Sequence, residues 1–185
     1  MKFTHTGTTE LYTNNLILRQ FNETDAESML QNWISDPIIQ QNYGEPIYET
    51  KADILELLRK WSELYSKLDF YRWAIILIKN NENIGQIAFC KVYSDIATAE
   101  IEYCIGRNYW GNGYANEALG AVINFAFECP KFLKIEAFHR NENINSGRVL
   151  QKSLMNVVPN VERFKRENKE PHDETCYAIT NSVCQ

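Results

Sequence analysis

The chain has 185 residues, of which 44% are hydrophobic and 23% charged, and a formal net charge of -5. That length fits one globular domain with a sizeable core. The acidic balance argues against general affinity for nucleic acid, which needs basic surface to displace phosphate counterions.

The opening MKFTHTGTTELYTNN is polar and lacks the apolar core of a signal peptide. Leu16–Gln20 reads as a first strand. Thr24 is placed to cap a helix over Asp25–Ile34, with Asp25 and Glu27 near its positive end, and Asp36-Pro37 breaks it. A second helix is expected over Glu49–Leu68, where Ile54, Leu58, Trp61, Tyr65 and Leu68 recur at three- and four-residue steps. Three strands follow, Tyr71–Lys79, Ile84–Val92 and Thr98–Ile105, joined by the turn-forming segments Asn80–Asn83 and Ser94–Asp95. Such short connections predict an antiparallel meander. The period then changes. Ala115, Ala118, Leu119, Val122, Phe125 and Ala126 mark a helix ending at Pro130, and Leu133–His139 alternates again. A short helix over Ile144–Lys152 takes Asn143 as its cap. Val157–Lys165 and Thr175–Thr180 read as a closing pair of strands around the polar segment Arg166–Glu174. The order predicts an α+β, or mixed α/β, layout in a single domain spanning residues 1–185.

Apolar runs such as Trp73–Ile78 are too short to span a membrane. Cys90, Cys104, Cys129, Cys176 and Cys184 are scattered, odd in number and without a CxxC pair, a pattern of free thiols in a reducing compartment. The cytoplasm is the expected location. His5, His139 and His172 show no metal-ligand spacing, so no metal site is expected.

The most informative stretch is Arg107-Asn108-Tyr109-Trp110-Gly111-Asn112-Gly113-Tyr114-Ala115-Asn116-Glu117-Ala118. It follows a strand and opens a helix. Glycines there allow a tight turn that points several N–H groups at one place, and the helix start adds unpaired donors and a positive dipole end. A phosphate is well served by that arrangement. A tight turn that binds nothing is the competing reading. The loop has no GK[ST] ending, and Asn116 replaces the third glycine of GxGxxG, which argues against nucleotide-hydrolysing and dinucleotide-binding loops.

IEYCIGRNYWGNGYANEAL resembles the acetyl-coenzyme A binding motif of the GNAT superfamily, in the branch that contains the Rim-type ribosomal-protein N-acetyltransferases. In the motif [QR]-x-x-G-x-[GA], Gly113 and Ala115 fill the last two defined places and Trp110 stands at the first. NNLILRQFNETDA is similar to the branch's opening RLxLRxxxxxDA pattern, and the segment from Asn143 to Lys152 is similar to its NxxSxRVLEK helix. The three matches lie in the expected order and, with the strands between them, cover nearly the whole chain.

The resemblance implies a GNAT-like fold with a mixed sheet that splays near its middle after Thr98–Ile105. It implies that the pantetheine arm of acetyl-coenzyme A, a co-substrate, bonds to strand backbone at Tyr103 and Ile105. The diphosphate would lie on Trp110, Gly111, Asn112, Gly113, Tyr114, Ala115 and Asn116, and Asn143 would give a further polar contact. It also implies direct transfer within a ternary complex.

Amine acetylation needs a neutral amine, a donor for the charged oxygen and stabilisation of the departing thiolate. Strand alternation puts Glu100, Glu102 and Cys104 on one face. Glu102 lies nearer the expected splay and is the first choice as base or amine-orienting group, with Glu100 second. Solvent-facing strand carboxylates are the competing reading. Leu150 occupies the place where many family members carry a tyrosine acid, and Leu154 the place of a helix-ending glycine. Rim-type members carry serine at the position of Ser146, which becomes the candidate thiolate stabiliser. Helix-start capping accounts for Asn143 and Ser146 equally well. Cys104 is a weaker nucleophile candidate without a neighbouring histidine. Trp33, Tyr43, Trp61 and Tyr65 could border an acceptor pocket or simply belong to the core.

The leading expectation is an N-acetyltransferase acting on a primary amine such as a protein N-terminus. The alternatives are a small-molecule acetyltransferase for a polyamine, amino acid or amino sugar, and a non-catalytic acyl-coenzyme A binding module. Symmetric homodimers are common, but the sequence leaves the oligomeric state open.

Overall fold

The computed structural model describes residues 3–159, 161–167 and 173–181. Among the described residues eight strands form one sheet in the order β1-β2-β3-β4-β5-β6-β8-β7. They are β1 (Leu11–Tyr12), β2 (Leu16–Arg19), β3 (Arg72–Leu77), β4 (Glu82–Tyr93), β5 (Thr98–Ile105), β6 (Lys134–Arg140), β7 (Asn156–Val158) and β8 (Glu174–Thr180). All neighbours are antiparallel except β5 and β6. The expected meander is β3-β4-β5, and the Thr98–Ile105 strand has the bounds expected of it.

The parallel seam is short. β5 and β6 are in register only at Thr98–Lys134, Ala99–Ile135 and Glu100–Glu136, and then part. Beyond Glu100 the edge of β5 has no ladder partner among the described residues. This is the splay implied by the family resemblance, and it begins partway along β5.

Both faces of the sheet are covered. Trp73, Ile75, Leu77, Ile101 and Ile105 point toward α4 (Tyr114–Glu128) and α5 (Ile144–Lys152). Ala74, Ile76 and Cys104 point the other way, toward α1 (Ala26–Met29) and α3 (Lys51–Leu64). The alternation of β-strand side chains thus feeds two apolar layers, which explains why β3 reads as a continuous apolar run rather than a half-polar one.

Several sequence expectations need correction. The first helical segment is capped by Asn22, whose side chain accepts from the Thr24 N–H, and not by Thr24. It is composite: a 3-10 turn at Glu23–Asp25, α1, and a π turn at Leu30–Ile34. Asp36-Pro37 ends that segment but also starts α2 (Pro37–Tyr43). The Asp36 side chain accepts from the N–H groups of Ile38 and Ile39, and Pro37 takes a first-turn place where its missing N–H costs nothing. The helix expected over Glu49–Leu68 is shorter, and Thr50 caps it. Of the closing strand expected over Val157–Lys165, only the start is extended. A helix, α6 (Val161–Glu167), follows it. Helix α5 has both its expected bounds and its Asn143 cap.

Candidate functional site

The glycine loop hangs between β5 and α4. Gly111 and Gly113 have φ of +81° and +84°, in the left-handed region that disfavours any side chain, and no atom lies within 4 Å of where a Cβ would stand on either. Gly113 is the N-cap of α4 and offers no capping side chain. In consequence the N–H groups from Gly111 to Asn116 have no acceptor among the described residues. A long helix with an uncapped start and an open concavity in front of it suits a bound anion.

The loop's other polar groups are spent on holding this shape. The Trp110 indole N–H donates to the Ile105 carbonyl at 2.6 Å. The Asn112 amide donates to the carbonyls of Tyr109 and Trp110, and the Asn116 amide donates to the Val149 carbonyl of α5 at 2.8 Å. The side-chain nitrogens of Asn112 and Asn116 are therefore engaged within the protein, while their backbone N–H groups stand open to a ligand. The Tyr109 phenol donates to Glu82 at 2.7 Å, and burial together with that carboxylate pushes it up to about 12. Glu117 takes the N–H and side-chain amide of Asn15 at 2.8 and 3.0 Å, tying the opening sequence motif to the first turn of α4.

The gap between β5 and β6 lies beside this loop. The Gly106 N–H bonds to the Ile84 carbonyl on the β4 side. Strand alternation accordingly turns the backbone N–H and C=O of Ile105 and Tyr103 toward the gap. The Ile105 carbonyl is already taken by Trp110, so the donors left there are the N–H groups and the free acceptor is the Tyr103 carbonyl.

The two carboxylates proposed from the sequence part company. Glu100 is 1% exposed and sits between Arg163 Nε and Nη2, at 2.9 and 3.3 Å, with Lys91 at 3.5 Å. It is neither solvent-facing nor free to act as a base; it anchors α6. Glu102 is 24% exposed. Its Oε1 takes the Tyr43 phenol at 2.6 Å and Arg72 Nη2 at 3.2 Å, while Oε2 has no partner among the described residues. Burial holds the Tyr43 phenol well above its ordinary value, and the Glu102 charge adds to that against the opposing pull of Arg72. Tyr43 is thus a fixed donor, and one carboxylate oxygen is oriented while the other carries no bond among the described residues.

A small cleft of about 70 Å³ opens on this same face, between Trp33, Tyr48, Leu57, Trp61, Arg72 and Gln86. The Arg72 guanidinium stacks 4.7 Å from the Trp61 ring and donates to Gln86. Trp33 and Trp61 line the cleft, and Trp33, 1% exposed, belongs at the same time to the core. Tyr65 instead holds backbone, accepting from Phe21 N–H and donating to the Arg72 carbonyl. Sequence reasoning missed Arg72. The signal was there: a lone cation opening the apolar run RWAIIL.

On the opposite face the Asn143 side chain accepts the Ser146 N–H at 3.1 Å, the ordinary capping bond. The Ser146 hydroxyl meets the Tyr103 phenol at 3.2 Å. Leu150 is fully buried in the core, and Leu154 is 71% exposed just past the helix end, where Ser153 is extended rather than left-handed. The helix stops without the glycine, and Ser146 keeps its first-turn place. Cys104 is buried, which pushes its thiol up to about 12 and keeps it protonated, so it is no nucleophile. Cys90, Cys104, Cys129 and Cys176 are all free thiols, and Cys184 lies outside the described residues. No helix among the described residues is long and apolar enough to cross a membrane.

An acetyltransferase (GNAT) domain family matches residues 15–156. The chain is 28% identical over 169 residues to the uncharacterized N-acetyltransferase YoaA of Bacillus subtilis, covering 91% of this chain and 95% of that protein. It is 31% identical over 140 residues to the uncharacterized N-acetyltransferase p20 of Bacillus licheniformis, covering 76% and 78%. A GNAT-family acetyltransferase from Bacillus anthracis superposes with a TM-score of 0.73 at 26% identity, over 93% of this chain and 98% of that one. A RimL ribosomal L7/L12 α-N-protein acetyltransferase, solved in complex with coenzyme A, superposes at 0.72 with 15% identity over 93% and 98%. With its splayed sheet and uncapped glycine loop, the chain belongs to the GNAT family of acetyltransferases.

Proposed function

We propose that the enzyme moves the acetyl group of acetyl-coenzyme A directly onto a primary amine, a protein N-terminus or a small amine, with both substrates bound together. The observation that carries this reading is the uncapped run of N–H groups from Gly111 to Asn116 opening beside a strand edge without a ladder partner. The loop's donors and dipole suit a diphosphate, and the β5 edge offers the donors and acceptors that a pantetheine amide needs. The solved RimL complex with coenzyme A supports the same choice of ligand.

The chemistry divides between the two faces of β5. Glu102 and the cleft lie on one side, Ser146 on the other. In this reading an amine passes the cleft wall at Arg72 to reach Glu102 Oε2, which holds or removes its proton while Tyr43 and Arg72 fix Oε1. Attack on the thioester carbon forms the C–N bond and breaks the C–S bond, and the electron pair goes to sulfur. In this reading the Ser146 hydroxyl donates to that sulfur. The amine proton leaves by way of Glu102 and the cleft.

Thiol release over a panel of amines, including peptides that begin with Ser and Ala, tests the reading. Glu102→Gln is expected to lower kcat by about 10²- to 10⁴-fold, the usual range for a positioned acid or base. Ser146→Ala is expected to lower it by about tenfold, the worth of one donor to a developing charge. Untouched turnover in both variants overturns the assignment of roles.

A further inference from the structure

We infer that the phenol of Tyr103 is the positioning residue that aims the Ser146 hydroxyl at the departing sulfur. This rests on the role proposed above for Ser146 and adds a second hydroxyl to it.

The two groups come from different elements. Tyr103 lies on β5 beyond Glu100, where β6 has already diverged, and its side chain faces α5. Its oxygen is 3.2 Å from Ser146 Oγ and 3.4 Å from the Ser146 carbonyl. No phenol is offered by α5 itself, because Leu150 is locked in the core. The cap bond from Asn143 fixes the first turn of α5 around Ser146.

Two hydroxyls share two hydrogens, and this decides what reaches the sulfur. In one arrangement Tyr103 donates to the Ser146 carbonyl and Ser146 donates to Tyr103, and both hydrogens are used within the pair. In the other, Tyr103 donates to Ser146 Oγ, and the serine hydrogen is left over. Only the second gives a donor to a third group. Both acceptors are within reach of the phenol, Oγ at 3.2 Å and the carbonyl at 3.4 Å, and an arriving sulfur selects the second arrangement by taking the serine hydrogen. Burial holds the phenol above its ordinary value despite the opposing bond from Ser146, and the Tyr177 charge would add to that. Tyr103 accordingly stays a donor throughout the working range. It gives up no proton: it hydrogen-bonds to Oγ while the serine hydrogen turns to the thiolate.

A double-mutant cycle separates this from a packing role. Tyr103→Phe keeps the ring and removes the hydroxyl. It is expected to lower kcat about five- to tenfold, the worth of one hydrogen bond, with the KM for acetyl-coenzyme A within about twofold of the parent. In the Ser146→Ala background the same change is expected to cost nothing more. Ser146→Thr keeps a hydroxyl and is expected to restore sensitivity to Tyr103→Phe, while thermal melts confirm that each variant is folded. Losses that multiply in the double variant, or a Tyr103→Phe enzyme as fast as the parent beside a slow Ser146→Ala, overturn the inference alone. A Ser146→Ala enzyme with full turnover overturns the role of Ser146 and the inference with it.

Discussion

Gly113 bears the conflict between what a helix start prefers and what the loop does. A Ser, Thr, Asp or Asn at the N-cap would satisfy one of the orphan donors, worth about 1 kcal/mol. At φ +84° any of these would be strained, and its side chain would spend a donor that otherwise faces outward. Gly113→Ala is therefore expected to cost about 1–2 kcal/mol from backbone strain alone, since no neighbouring atom lies within 4 Å. Its larger effect should fall on acetyl-coenzyme A affinity, because relaxing φ re-aims the N–H groups of Gly113 and Tyr114. Isothermal titration set beside urea denaturation checks both parts. Unchanged affinity in a destabilised variant would detach the loop from cofactor binding. Glu100 and Glu102 illustrate how far the sequence could be read at this scale. Alternation put them correctly on one face, but it could not tell a free carboxylate from a buried counter-ion. The difference is made by Arg163 and Arg72, which approach from α6 and β3.

Among the elements, β5 and α5 were legible because their signals are local: strict alternation in one, an Asn cap and helical spacing in the other. Helix α6 was not. Val157, Val158, Val161 and Phe164 carry strand propensity, and propensity yields to tertiary context. What settles that segment is Arg163, 7% exposed, pairing with Glu100 and with Glu174 at 2.7 Å and lying 3.7 Å over the Phe138 ring, and Arg166 pairing with Glu136. Most of these partners are tens of residues away. Arg163→Met is expected to destabilise the fold by about 3 kcal/mol, since it leaves the buried Glu100 with only the more distant Lys91, at 3.5 Å, as a cation. The exposed pair Lys165–Glu162, with side chains 69% and 76% accessible, should give under about 1 kcal/mol when Lys165→Met breaks it. Urea midpoints distinguish the two. Equal losses would mean that α6 is held by its apolar contacts alone. The composite first helix was missed for a related reason: its end and the start of α2 share Asp36-Pro37, so one signal stands for two events.

Across the whole molecule, buried phenols and thiols set an alkaline limit. Burial pushes Tyr65 up to about 12, Cys104 to about 12 and Cys176 to about 11, and raises Tyr43 and Tyr103 as well. The native state holds these protons more tightly than the unfolded chain, whose thiols and phenols ionise near their ordinary values of 9.0 and 10.0. Their contribution is complete below about pH 9 and is lost as pH climbs through the raised values. The melting temperature should stay level from about pH 7 to 8.5 and fall steadily above about pH 9. A level melting temperature up to about pH 11 would show that these groups ionise freely in the native protein. The brevity of the β5–β6 seam bears on the same scale. A slender guest sliding between those strands breaks no existing ladder, so its affinity is not discounted by the cost of prising a sheet apart. The cavity is bequeathed by folding, and the sheet's two halves remain joined through the three rungs behind it.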